Sequence, residues 1–214
     1  MSQDDLDYQY NPIQPGTNWR ARLRKLLGPI AAGAIALAKW SFVLVKFSSI
    51  FIAVAAYALI WGWRFATGLV FLILWHELGH YLEARREGLG PKLPVFIPLL
   101  GAYVKYTRGN PWQTARVALA GPMLGGVASL AFLLAGESQN SDLLRALAYF
   151  GFFLNLINLV PFGPLDGGQI WRAARFLRIG GAPGKAQVVY VLYFATAIAL
   201  ALGMWASHVS QHRL

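Results

Sequence analysis

Long apolar runs separated by short basic segments are the feature that most constrains this chain. Five runs are long enough to cross the hydrocarbon core of a bilayer as helices, which takes about 20 residues. They cover residues 47–63, 65–83, 117–136, 146–165 and 186–207. Hydrophobic residues make up 57% of the sequence and charged residues 13%, more apolar surface than a soluble domain of this size buries. The sequence therefore predicts an all-α polytopic membrane protein with about five transmembrane helices.

Two segments outside these runs predict further elements, a helix and a β-hairpin. Residues 27–45 are apolar but interrupted by Lys39, and they predict an interfacial or re-entrant helix rather than a sixth span. Residues 94–106, after the second run, have the proline, glycine and β-branched texture of a short β-hairpin. Asn110 followed by Pro111 is typical of the N-cap and first position of a helix.

Basic residues are unevenly distributed among the segments that connect the runs. Three regions are rich in Lys and Arg and two are poor in them. The rich regions are the end of the N-terminal segment, residues 84–116 and residues 167–185, and the poor ones are residues 137–145 and the C-terminus. With five spans, all the rich regions lie on one side, which the positive-inside rule makes the cytoplasm. We expect a multi-pass protein of the cell membrane with a cytoplasmic N-terminus.

The same reasoning divides the chain into three parts. Residues 1–26 are expected to form a polar, basic cytoplasmic tail, residues 27–207 the membrane domain, and residues 208–214 a C-terminal tail. No apolar h-region lies near residue 1, so a cleaved signal peptide is not expected. The net charge of +10 lies between apolar runs rather than in a patch with interleaved aromatics. It therefore favours contact with bilayer lipids over nucleic acid, and the sequence makes no prediction of the oligomeric state.

The second run ends in the motif His76-Glu77-Leu-Gly-His80. The histidines are four residues apart, so a helix places both imidazoles on one face, within reach of one metal ion. Glu77 lies beside them, where its carboxylate can take a proton from an attacking water. Ionisable side chains inside an apolar span are costly unless they are paired or liganded. The motif therefore predicts a metal site rather than polar contacts between helices.

A catalytic zinc site usually needs a third protein ligand, and the chain contains no cysteine. Glu83 lies one turn beyond His80, but three ligands from one straight helix give poor tetrahedral geometry. We expect Glu83 to pair with Arg86 or Lys92 instead. Asp166 follows a charge-free run and, with five spans, reaches the same cytoplasmic end as the histidines. It is therefore the predicted third ligand.

Asn158 is a further polar candidate inside the fourth run. Its amide could hydrogen-bond a substrate carbonyl or a developing oxyanion. Asn155, one turn earlier, is better explained by hydrogen bonding between helices. Two histidines and one carboxylate suit zinc, and the same set also binds iron. The predicted cofactor is one Zn²⁺ per chain.

The motifs resemble those of the site-2 protease family of intramembrane zinc metalloproteases. The resemblance rests on residues 76–80 and on residues 158–168, Asn-Leu-Val-Pro-Phe-Gly-Pro-Leu-Asp-Gly-Gly, which fit the family pattern Asn-x-x-Pro-x-x-Pro-Leu-Asp-Gly. Ala-Gly-Pro at residues 120–122 is also similar to the family. The resemblance covers about residues 47–180. No segment of the sequence is similar to the family's PDZ module, so the chain resembles a short form.

The resemblance implies a function and assigns roles to residues. It implies that His76, His80 and Asp166 are zinc ligands, that Glu77 is the catalytic base, and that Asn158 helps to hold the substrate. The expected activity is hydrolysis of peptide bonds in membrane-embedded proteins or peptides by a metal-activated water. Such an enzyme has a transmembrane protein substrate and the lipid bilayer as its partners.

Two other functions are compatible with parts of the pattern. A divalent metal transporter of the ZIP type also carries His-Glu-x-x-His in a span. It needs ligands on the preceding helix, where residues 47–63 offer only Ser48, Ser49 and Tyr57. A catalytically inactive membrane binding protein usually lacks the base or a ligand, and all of these are present here. The sequence therefore favours the protease.

Overall fold

The computed structural model describes residues 19–99 and 101–211, which form six helices and one two-stranded antiparallel sheet. Residues 1–18 of the predicted N-terminal tail and residues 212–214 of the predicted C-terminal tail lie outside the described residues. The elements are α1 (Trp19–Trp61), α2 (Trp63–Arg86), β1 (Val95–Ile97), β2 (Gly101–Tyr103), α3 (Pro111–Ser138), α4 (Asp142–Asn158), α5 (Asp166–Ile179) and α6 (Pro183–Gln211). The chain is therefore mostly helical, as predicted.

The first 45 residues are a separate unit from residues 46–214. The described part of this unit is the beginning of α1, which starts at Trp19, inside the segment predicted as a polar tail. Residues 27–45 are helical, as expected, but no break separates them from the apolar run that follows. The separate interfacial or re-entrant helix predicted there is instead the first part of a longer helix.

The predicted hairpin is confirmed, and it leads directly into α3. β1 pairs with β2 in antiparallel register, with Val95 opposite Tyr103. Asn110 caps α3, because its side chain accepts a hydrogen bond from the Gln113 N–H at 2.9 Å. Gln113 Oε1 in turn accepts from the Asn110 N–H at 3.0 Å, and Pro111 occupies the start of the helix. These reciprocal bonds satisfy donors that a helix start otherwise leaves unpaired.

Helix α3 is central to the second unit, since it contacts α2, α4, α5 and α6. The residues that it buries at these contacts are mostly small, which lets neighbouring backbones approach closely. The small buried residues are Ala115, Ala118, Gly121, Gly125, Ala128, Ser129 and Gly136. The backbone of α3 therefore lies within reach of side chains on two neighbouring helices, which matters for the site described below.

Two helices in the described residues are long and apolar enough to cross a membrane, Pro111–Ser138 and Pro183–His208. The last part of α1, Ser48–Trp61, is also apolar but shorter. The predicted count of about five spans is therefore not confirmed. The run predicted at 146–165 falls short because α4 has 17 residues and ends at Asn158. In α2, the buried motif residues and the charged residues near both ends lower the hydropathy of the helix.

Candidate metal centre

The motif residues lie on the buried face of α2. His76 is 8% exposed, Glu77 6% and His80 7%. The His76 and His80 rings are in edge-to-face contact, with centroids 4.7 Å apart, as expected for residues one turn apart on a helix. The two Nε2 atoms are 3.1 Å apart. The helix thus brings one nitrogen of each ring to the same point.

The other ring nitrogen of each histidine has a hydrogen-bond acceptor. His80 Nδ1 lies 2.8 Å from the Val117 carbonyl oxygen on α3, and His76 Nδ1 lies 2.8 Å from Asn155 Oδ1 on α4. A carbonyl oxygen only accepts hydrogen bonds, so each Nδ1 carries the proton and donates it. Each Nε2 then has a free lone pair, the arrangement in which a neutral histidine binds a metal.

Glycine allows His80 to lie against α3. A Cβ built at Gly121 would collide with Cε1 and Nε2 of the His80 ring. Pro122 follows and has no N–H, so α3 lacks one backbone hydrogen bond at this position. The Ala-Gly-Pro sequence singled out above therefore has a local function, since it brings the backbone of α3 against a ring of the metal motif.

Asp166 reaches the same point from the first turn of α5. After Asn158 the chain turns through residues 159–165, where Pro161 and Pro164 prevent the helix from continuing. A Cβ at Gly167 would meet the backbone of Leu159, so the turn and the start of α5 are closely packed. Asp166 Oδ2 lies 3.2 Å from His76 Nε2 and 3.3 Å from His80 Nε2.

The three atoms fit a divalent cation. Ligand atoms at about 2.0–2.2 Å from zinc are about 3.3 Å apart in tetrahedral geometry, close to the separations of 3.1, 3.2 and 3.3 Å found here. Asp166 Oδ2 is buried without a hydrogen-bond partner among the described residues. Two lone pairs and a carboxylate packed against one another are unfavourable without a cation. These residues could hold one metal ion.

A cavity of about 600 Å³ opens beside this cluster. Its wall includes Glu77, Asn158 and residues 102–106, which comprise the end of β2 and the segment after it. The Asn158 amide donates a hydrogen bond to the Leu154 carbonyl at 3.2 Å. Burial raises the pKa of the Tyr106 phenol, and the nearby carboxylates of Asp166 and Glu77 raise it further. The cavity therefore has space for a substrate segment directly beside the metal-binding atoms.

Glu83 belongs to a separate group of ion pairs. It lies 3.9 Å from Arg86, one of its two predicted partners, but its shorter contact is with Arg116 on α3, at 2.5 Å. Arg116 also pairs with Glu87. The sequence alone does not indicate Arg116 as a partner, because the pairing depends on how α3 packs against α2. These contacts join the end of α2 to the start of α3.

Asn155 belongs to the site through a partner that its position in the sequence does not identify. It was expected to hydrogen-bond between helices, and it does, but its partner is the metal-motif residue His76. Asn158, the expected functional amide, lies at the cavity instead. The sequence shows only that Asn155 is a polar side chain within an apolar run, one turn from Asn158. That position does not specify its hydrogen-bond partner.

Comparison with known proteins places the chain in a family. A model described as peptidase family M50 matches residues 64–141 and 134–203. A Mycobacterium tuberculosis protein named "Putative zinc metalloprotease Rip3" is 30% identical over 186 residues, covering 73% of this chain and 46% of that protein. A Methanocaldococcus jannaschii protein named "Zinc metalloprotease MJ0392" is 26% identical over 162 residues, covering 73% and 45%. The chain thus spans less than half the length of these curated relatives. Because the family model matches more than half of the chain, in agreement with the resemblance seen in the sequence, this protein belongs to peptidase family M50.

Proposed function

We propose that this protein is a zinc metalloprotease that hydrolyses peptide bonds of membrane-embedded protein substrates. The observation that carries the proposal is the convergence of His76 Nε2, His80 Nε2 and Asp166 Oδ2 within 3.3 Å of one another. The buried carboxylate of Glu77 and a cavity of substrate size lie beside them. Membership of a peptidase family and the names of the relatives support the zinc metalloprotease part of this proposal.

His76, His80 and Asp166 would hold one zinc ion per chain. Zinc in such a site supplies Lewis acidity, which activates a water and polarises a carbonyl. Glu77 accepts a proton from the attacking water as the water oxygen bonds to the scissile carbonyl carbon. The same carboxyl group then donates that proton to the amide nitrogen as the carbon–nitrogen bond breaks. Glu77 is thereby returned to its starting state.

Asn158 is assigned to substrate binding. It lines the same cavity as Glu77, and one of its two amide N–H groups is used by the Leu154 carbonyl. An amide has a second N–H and an oxygen that can pair with a peptide backbone. We assign to Asn158 a hydrogen bond to the substrate carbonyl, which strengthens as negative charge develops on that oxygen.

The membrane setting is part of the proposal. The apolar part of α1, together with α2, α3, α4 and α6, would supply five spans, and α3 and α6 have the length and hydropathy for this. Lys105 and Arg108 line the cavity, and the positive-inside rule assigns such residues to the cytoplasmic face. The N-terminus and the active site would then face the cytoplasm, and a transmembrane protein or peptide would be the substrate.

The test compares purified wild type with Glu77→Gln and with Glu83→Gln, which makes the same chemical change on the same helix outside the metal cluster. Bound metal is quantified, and cleavage of a panel of model transmembrane substrates is assayed in detergent. We expect one zinc per chain in all three proteins, and cleavage by the wild type and Glu83→Gln only.

Four outcomes would contradict parts of this proposal. Absence of metal from the wild type would refute the ligand assignment. Cleavage by Glu77→Gln at the wild-type rate would refute the role of the base. Zinc in every protein without cleavage of any substrate would favour a binding protein, and zinc uptake into proteoliposomes would favour a transporter.

A further inference from the structure

One buried side chain in contact with the metal cluster has no part in the chemistry proposed above. Asn155 is 2% exposed and lies on α4, and its amide oxygen is 2.8 Å from His76 Nδ1. We propose that Asn155 is a positioning residue for zinc, which fixes the ring of His76 with its Nε2 lone pair directed at the metal. The inference rests on the metal site of the proposed function, but not on proteolysis.

The orientation of the Asn155 amide follows from its second hydrogen bond. Asn155 Nδ2 lies 2.7 Å from the Gly151 carbonyl oxygen, one turn earlier on α4. That oxygen can only accept, so the NH₂ group must point to Gly151 and the amide oxygen to His76. An amide oxygen accepts and cannot donate. His76 must therefore carry its proton on Nδ1, which leaves Nε2 free to bind a metal.

Helix α3 holds this amide in place from the other side. A Cβ built at Gly125 would collide with Oδ1, Nδ2 and Cγ of Asn155. The amide therefore fills the space that the missing side chain of Gly125 leaves. Because Asn155 is almost fully buried and both ends of its amide are bonded, it has no alternative position nearby. A fixed acceptor of this kind fixes the ring as well as the tautomer.

The energetic effect is specific to metal binding. Without an acceptor at Nδ1, a neutral imidazole can place its proton on either nitrogen, and only one of the two forms can bind the metal through Nε2. Loss of such a partner typically weakens metal affinity by about 10–100-fold. A carboxylate in the same place accepts the same hydrogen bond and also increases the basicity of the ring.

The experiment measures zinc affinity by chelator competition on folded, monodisperse protein. The variants are Asn155→Ala, which removes the acceptor, and Asn155→Asp, which keeps the acceptor for His76 and gives up the donor to the Gly151 carbonyl. Ser129→Ala is the matched control, since Ser129 is fully buried at the same contact between α3 and α4 and donates to the Gly125 carbonyl. We expect a loss of at least about tenfold for Asn155→Ala. Affinity within about threefold of wild type is expected for the other two.

An unchanged zinc affinity in Asn155→Ala would overturn the inference. Equal losses of zinc affinity in Asn155→Ala and Asn155→Asp would also overturn it, because they would indicate a packing role only. A loss in Ser129→Ala as large as that in Asn155→Ala would do the same. If Asn155→Ala does not fold, Asn155→Ser takes its place, because a serine side chain is too short to reach His76. A wild type that binds zinc as expected but cleaves nothing would leave this inference standing and refute the protease.

Discussion

The two histidines of α2 are one turn apart, yet they are supported by different kinds of partner. His80 donates to a main-chain carbonyl, that of Val117 on α3, whereas His76 donates to a side-chain amide, that of Asn155 on α4. A main-chain oxygen keeps its place for as long as its helix does. The support of His80 therefore depends on how α2 packs against α3, and the support of His76 on the identity of one residue.

Two glycines of α3 make this difference testable. Gly121 and Gly125 are four residues apart on one face of α3. A Cβ at Gly121 would meet the His80 ring itself, and a Cβ at Gly125 would meet the Asn155 amide behind His76. One substitution therefore acts on a ligand directly and the other acts through its partner. Gly126→Ala is a control for both, because its Cβ would meet only the side chain of Leu200.

The largest effect is expected for Gly121→Ala. The added methyl group occupies the position of the His80 ring, so the ring must leave the metal or α3 must move away from α2. We expect zinc affinity to fall by more than about 100-fold, together with a loss of stability of about 1–3 kcal/mol from overpacking. Chelator competition and denaturant unfolding measure the two effects. A zinc affinity like that of Gly126→Ala would show that the contact between the His80 ring and α3 is less rigid than the structure indicates.

A smaller effect is expected for Gly125→Ala. The methyl group displaces the Asn155 amide but leaves both rings with space, so His76 loses its acceptor and remains in reach of the metal. We expect zinc affinity to fall by about tenfold, as for Asn155→Ala. In the double variant with Asn155→Ala, no further loss is expected, because the same hydrogen bond is already absent. Losses that multiply in the double variant would contradict this explanation.

The smallest effect on metal binding is expected for Tyr193→Phe. Tyr193 on α6 donates to the Leu159 carbonyl at 2.6 Å, at the turn that leads to Asp166. Loss of one buried hydrogen bond should lower the free energy of unfolding by about 1 kcal/mol. Zinc affinity should change by less than about threefold, since neither histidine loses its partner. A tenfold loss would show that the support of the carboxylate ligand is as important as that of His76.

Much of this site was predictable because its signals are local in the sequence. The spacing of His76 and His80 fixes their common helix face, and acidic residues are so scarce that Asp166 was the natural third member of the cluster. The structure brings these three side chains together. The hairpin and the Asn110 cap were predictable for the same reason, since turn residues and cap residues act over a few positions.

The features that the sequence did not predict depend on which helices face each other. Asn155 acquires its partner only because α4 packs against α2, and Arg116 only because α3 packs against α2. A hydropathy pattern does not contain that information. The span count differs from the prediction for a related reason. Polar residues in α2 and an early turn after Asn158 make two helices differ from uniform apolar spans, although both pack within the same bundle.

The position of Asp166 has a consequence for biosynthesis. The carboxylate is carried by α5, whereas both imidazoles are carried by α2, so the chain emerging from the ribosome contains the histidines long before it contains the aspartate. A nascent chain that has reached only α4 thus carries an incomplete set of ligands. On the proposed mechanism it cannot yet hydrolyse a peptide bond, and the proteins around it are protected from it until α5 has been synthesised.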